Sequence, residues 1–126
     1  MAAPLNTTAL AFIGDAVYEV FIRKHILQSV SVNADVMHRA AVKYVSAKAQ
    51  AKILKKIYGM LSEEEQNLIK RARNHKITTK PKNADPITYK YATAFEALIG
   101  YHYMAENYGR MEEILNFAVN GEKCDE

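Results

Sequence analysis

The chain has 126 residues, 49% of them apolar and 25% charged, which suits one globular domain with its own core and excludes a disordered or fibrous protein. Asp15, Glu19, Arg23 and Lys24 interrupt the most apolar stretch, so it does not read as a membrane span, and Met1–Asn6 lacks the basic start and apolar run of a secretory signal. The net charge is only +3 and the one cysteine, Cys124, lies in a polar tail; a disulfide scaffold is excluded and a reducing cytoplasm is expected.

Turn and cap signals divide residues 1–126, read as one domain with a core at about 5–120, into six helices. Asn6-Thr7 caps a first helix to about Leu27, with Leu10, Ile13, Val17, Val20 and Leu27 near one stripe. Asn33 or Asp35 opens a second helix, through Met37 to Tyr44. Ser46 caps a third from Ala47 to Tyr58, with Ile53, Leu54 and Ile57 inward and Lys48, Lys52, Lys55 and Lys56 outward; Gly59 is expected to close it in the left-handed conformation. Ser62-Glu63-Glu64-Glu65 has capping-box spacing and starts a fourth helix ending near Arg73. After a loop from Asn74 to Ala84, Asp85-Pro86 reads as cap and first-turn proline of a long helix to about Asn107. Gly109 separates a last helix, Arg110 to Val119, which Asn120-Gly121 ends. No window alternates long enough for a strand, and the fold class is all-α.

Two carboxylates break the apolar pattern. Asp15 follows Gly14 inside a strongly apolar helix, where Gly costs about 1 kcal/mol relative to Ala. Such a pair suits a site that needs close approach beside a carboxylate. Glu96 has apolar neighbours on nearly every side, with small Thr93 and Gly100 leaving room around it. Each acid alone could lie on a wet helix face. Together they suggest a divalent-metal site of hard oxygen ligands from two helices, of the kind that holds Mg²⁺ with several waters. Glu19, one turn after Asp15, either adds an outer contact to that site or pairs with Arg23 at i+4.

Charge is concentrated elsewhere. Lys70, Arg71, Arg73, Lys76, Lys80, Lys82 and Lys90 share one stretch with a single acid, Asp85, which points to a polyanion met at one face. Zinc-ligand spacing, a Gly-rich phosphate loop and a nucleophile elbow are all missing from the sequence. The eight tyrosines, at helical spacing, read as core and interface residues before base-stacking platforms.

Ala9-Leu10-Ala11-Phe12-Ile13-Gly14-Asp15-Ala16-Val17 resembles the signature of the ribonuclease III family, and Thr93-Ala94-Phe95-Glu96-Ala97-Leu98-Ile99-Gly100 resembles its second motif. Arg71-Ala72-Arg73-Asn74, Pro81-Lys82-Asn83-Ala84-Asp85 and Thr88-Tyr89-Lys90-Tyr91 are similar to the Mini-ribonuclease III branch, which has the catalytic domain without a double-stranded-RNA-binding domain. The chain departs from full-length ribonuclease III at Thr8, Ala11 and Thr93, where that protein has Glu, Glu and Asp.

The resemblance implies a ribonuclease III-like endonuclease fold and a metal-dependent endoribonuclease that cuts double-stranded RNA, leaving a 5′-phosphate and a 3′-hydroxyl. Asp15 and Glu96 carry over as catalytic metal ligands for Mg²⁺, with Mn²⁺ able to substitute. Few carboxylates remain, so metal affinity is expected to be weak before RNA arrives. Arg71, Arg73, Lys76, Lys80 and Lys82 are expected to grip the A-form backbone. The resemblance further implies a two-fold homodimer with Phe12 at its interface, and trimming of the 23S ribosomal RNA precursor ends, with a ribosomal protein as a possible presenter of that RNA. The alternatives are a catalytically weak RNA-binding or ribosome-assembly factor on the same fold, and a helical phosphohydrolase of nucleotides. The long basic loop and the lack of paired Glu-x-x-Glu motifs disfavour the second.

Overall fold

The structure is a computed structural model describing residues 6–29, 33–74 and 85–123. Among the described residues six α-helices carry the fold: α1 Thr7–Ser29, α2 Ala34–Val45, α3 Ala47–Ile57, α4 Glu63–Arg73, α5 Pro86–Met104 and α6 Tyr108–Lys123. No strand occurs among the described residues, in agreement with the all-α expectation.

The helix starts are set by side chains that satisfy otherwise orphaned amides. Asn6 accepts from the Ala9 amide at 2.8 Å, Asn33 from those of Asp35 and Val36, and Ser46 from that of Ala49. Ser62 and Glu65 form the reciprocal capping box at 3.1 and 2.8 Å. Asp85 caps α5 through the Ile87 and Thr88 amides, with Pro86 in the first turn.

The helix ends differ from those expected. Gly59 is not left-handed: Tyr58–Met60 tightens into a 3₁₀ turn that closes α3 without positive φ. The left-handed residue is Glu106, at φ 60°. Asn107 N–H donates to His102 C=O at 2.8 Å and Glu106 N–H to Tyr103 C=O at 3.1 Å, the double closure of a Schellman motif. This ends α5 at Met104 and lets α6 begin at Tyr108, so Gly109 lies inside a helix and not between two. The last helix also runs past Asn120-Gly121 to Lys123.

Helix α5 is the central element and packs against α1, α3, α4 and α6. Ala94, Phe95, Ala97, Leu98 and Ile99 are wholly buried. Tyr18 of α1 meets Phe95 edge-on at 5.2 Å and donates its hydroxyl to the Tyr44 carbonyl at 2.9 Å, tying α2 to the core. The inward stripe of α1 is Leu10, Gly14, Tyr18, Ile22 and Ile26. Val20 and Leu27, expected on that stripe, are instead 68% and 59% exposed. The helix is apolar on two faces, so its pattern alone does not say which one is core.

At the far end of α5, buried Glu65 accepts from Arg110 at 2.7 and 2.9 Å and lies 2.6 Å from His102 Nε2. These bonds fasten the starts of α4 and α6 to the last turn of α5.

Candidate active site

The site begins with two glycines at the crossing of α1 and α5. A β-carbon on Gly14 would lie 1.8 Å from the Glu96 carbonyl oxygen, and one on Gly100 would lie 1.9 Å from the Leu10 carbonyl oxygen. Only residues without side chains allow the two backbones this close. Gly14 precedes Asp15 and sits against Glu96, so the crossing that demands glycine also brings the two acids together. Their carboxyl groups lie close enough to raise the Glu96 pKa directly.

Glu96 is partly buried and Asp15 exposed, which puts the pair at the edge of the core, facing out. Burial first, then the closeness and charge of Asp15, push the Glu96 carboxyl from its ordinary 4.5 up to about 9; the Gln50 side chain opposes this, and the Glu19 charge adds slightly to it. Two carboxyl groups so placed hold a proton between them near neutral pH, or a cation in its place. Glu19 pairs with Arg23 at 3.2 Å, the plainer of its two expected roles.

The donor set fits a hard divalent cation. Asp15 and Glu96 offer carboxylate oxygens; Gln50, a neighbour of Glu96 that is 3% exposed, is not counted among the ligands, though its side-chain oxygen has no hydrogen-bond partner among the described residues. Among the described residues no three His, Cys, Asp or Glu side chains form a ready-made metal cage, so water and substrate would complete the coordination. Ala11, one turn before Asp15, is 6% exposed and part of the core.

Sequence reasoning misses Gln50, although the signal is present: it shares the i, i+3, i+4, i+7 inward stripe with Ile53, Leu54 and Ile57 and is its one polar member. Five residues along each helix from the point where Gln50 meets Glu96, the Lys55 ammonium lies 5.2 Å from the centre of the Tyr91 ring. Arg73 approaches the same ring at 5.8 Å. Helix rise puts this cluster about 7.5 Å along the α3–α5 seam from the acids. Arg71 is exposed nearby in sequence, whereas Lys76, Lys80 and Lys82 fall outside the described residues. Phe12, three residues before Asp15, is 82% exposed.

Residues 8–107 match the family model described as Ribonuclease III domain. The Mini-ribonuclease 3 of Thermoanaerobacter sp. (strain X514) is 47% identical over 115 residues, covering 91% of this chain and 81% of the relative. That of Brevibacillus brevis is 48% identical over 120 residues, covering 93% and 90%. A crystal structure of a protein from Fusobacterium nucleatum superposes with a TM-score of 0.83 at 38% identity, covering 93% of each chain. The chain therefore belongs to the ribonuclease III family, in its Mini-ribonuclease III branch.

Proposed function

We propose that the chain is a Mg²⁺-dependent endoribonuclease that cuts double-stranded RNA, with residues 1–126 acting as one catalytic domain. The observation that carries this reading is the Asp15–Glu96 pair, held together by a helix crossing that only glycine permits. Asp15 and Glu96 would hold Mg²⁺, or Mn²⁺ in its stead. Bound there, the cation would supply a water of lowered pKa and would offset negative charge at the scissile phosphate, for hydrolysis to a 5′-phosphate and a 3′-hydroxyl.

The chain's other residues hold the RNA. Arg71, Arg73, Lys76, Lys80 and Lys82 bind phosphates along one strand of an A-form duplex, whose backbone and shape are accessible while its deep groove is not. Lys55, poised with Arg73 over Tyr91 on the seam that leads to the acids, extends that path. The exposed apolar face of α1, with Phe12, Val20 and Leu27, is suited to a second copy, and a two-fold dimer would offer one site to each strand. The substrate is the 23S ribosomal RNA precursor, cut in the cytoplasm, with a ribosomal protein presenting it. Among the described residues no helix is long and apolar enough to cross a membrane.

Incubating the protein with a long RNA duplex in Mg²⁺ or in EDTA, and identifying the product ends, tests the reading. Cleavage in Mg²⁺ alone, leaving 5′-phosphates, is expected. Duplex binding without cleavage in either condition would favour a catalytically weak RNA-binding factor on the same fold.

A further inference from the structure

Gln50 is the one residue of the α3 inward stripe whose chemistry the core does not use. Its amide nitrogen donates to the Val45 carbonyl at 3.0 Å, and the side chain reaches near enough to the Glu96 carboxyl to favour its charged form. Its oxygen Oε1 is buried and has no hydrogen-bond partner among the described residues. Turning the amide over would not help, because Oε1 would then face the Val45 carbonyl, another acceptor. The orientation is therefore fixed by the nitrogen, and the oxygen is left as an unused buried acceptor on a side chain that neighbours Glu96. A leucine or methionine would fit Ile53, Leu54 and Ile57 without burying an unsatisfied oxygen.

We infer that Gln50 is a positioning residue of the Asp15–Glu96 site: its amide N–H steadies the Glu96 carboxylate, and its Oε1 accepts a hydrogen bond from a water held there with the divalent cation. The inference rests on the metal-site reading above. Mg²⁺ keeps several waters when few carboxylates bind it, and the hydrogens of those waters need acceptors. With carboxylates missing at Ala11 and Thr93, a neutral oxygen from α3 supplies one without adding charge to the site.

The test is Mn²⁺ uptake, followed by loss of the free-ion paramagnetic resonance signal, for wild type, Gln50→Met and Asp15→Asn, with thermal melts of each in EDTA. Gln50→Met should bind Mn²⁺ roughly ten- to a hundredfold more weakly, the usual cost of losing an outer partner of a metal ligand. Its melting temperature in EDTA should equal or exceed that of wild type, because the orphan oxygen is gone. Wild-type affinity in a folded Gln50→Met protein would overturn the inference. If Asp15→Asn also binds like wild type, the metal site itself falls, so the two failures are distinguishable. A second measurement avoids substitution: the Gln50 side-chain amide resonances of the wild-type protein should move on addition of Mg²⁺. Resonances unmoved at saturating Mg²⁺ would overturn the inference even if Gln50→Met fails to fold.

Discussion

Gly14 of α1 touches the backbone carbonyl of Glu96 so closely that a β-carbon there would sit 1.8 Å from the oxygen. That carbonyl belongs to α5 itself and cannot swing aside as the end of a flexible side chain could. Gly14→Ala must therefore push the two helices apart. We expect a loss of about 2 kcal/mol or more in urea melts. Cleavage should fall by about a hundredfold, since small misplacements of reacting groups are costly. Gly59→Ala is the control: among the described residues nothing lies within 4 Å of where its β-carbon would sit, and its φ is not positive, so stability should hold or rise slightly.

Local signals make much of this legible in the sequence. Asn33, Ser46, Ser62 and Asp85 start helices because each supplies an acceptor for free amides, a matter of a few neighbouring residues. Gly14-Asp15 and Glu96 stand out because both contradict an apolar helix. What stays hidden depends on distant neighbours. The core face of α1 is chosen by α5, which the helix's own apolar surface on two sides cannot reveal. Glu106 adopts the left-handed conformation that a glycine would take more easily, so Gly59 and Gly109 point to the wrong places. Gln50 shows in sequence only as a polar residue on an apolar stripe, and the packing of α5 is what gives it Glu96 as a neighbour.

Glu96 and Glu65 give stability opposite dependences on pH. Glu96 is raised from 4.5 to about 9, so the folded chain keeps a proton that the unfolded chain releases above about pH 4.5. In EDTA, stability should therefore decline as pH rises toward 9, at up to about 1.4 kcal/mol per pH unit, and level off above it. Glu96→Gln should remove this decline, and urea melts of both proteins at pH 5, 7 and 9 check it. Equal slopes would contradict the assignment. Glu65 runs the other way: the Arg110 hydrogen bond holds it at about 2, so its contribution is present above pH 4.5 and lost as pH falls through 2. Arg110→Ala should cost about 3 kcal/mol by leaving a buried carboxylate without its main partner.

Phe12 lies on a face of α1 that this chain leaves open, with Val20 and Leu27 beyond it. Phe12→Ala should shift the protein toward monomer and lower cleavage with it, while leaving the melt of the monomer nearly unchanged. Light scattering that finds the same dimer in wild type and variant would remove Phe12 from the interface.

The basic stretch should supply much of the duplex affinity by neutralising phosphates. Replacing Lys76, Lys80 and Lys82 together by neutral residues should weaken binding similarly across duplex sequences. It should also flatten the plot of log affinity against log salt by about one unit for each phosphate no longer neutralised. An unchanged slope would mean that these lysines only face solvent.

If Asp15 and Glu96 act as one metal site, single-turnover cleavage by Asp15→Asn in saturating Mg²⁺ shows it most directly. With RNA affinity measured in the same samples, the variant should bind the duplex as wild type does, because little volume changes and the basic residues are untouched. Its cleavage rate should fall by roughly a thousandfold or more. A folded Asp15→Asn protein that cuts duplex RNA at near the wild-type rate would contradict the assignment.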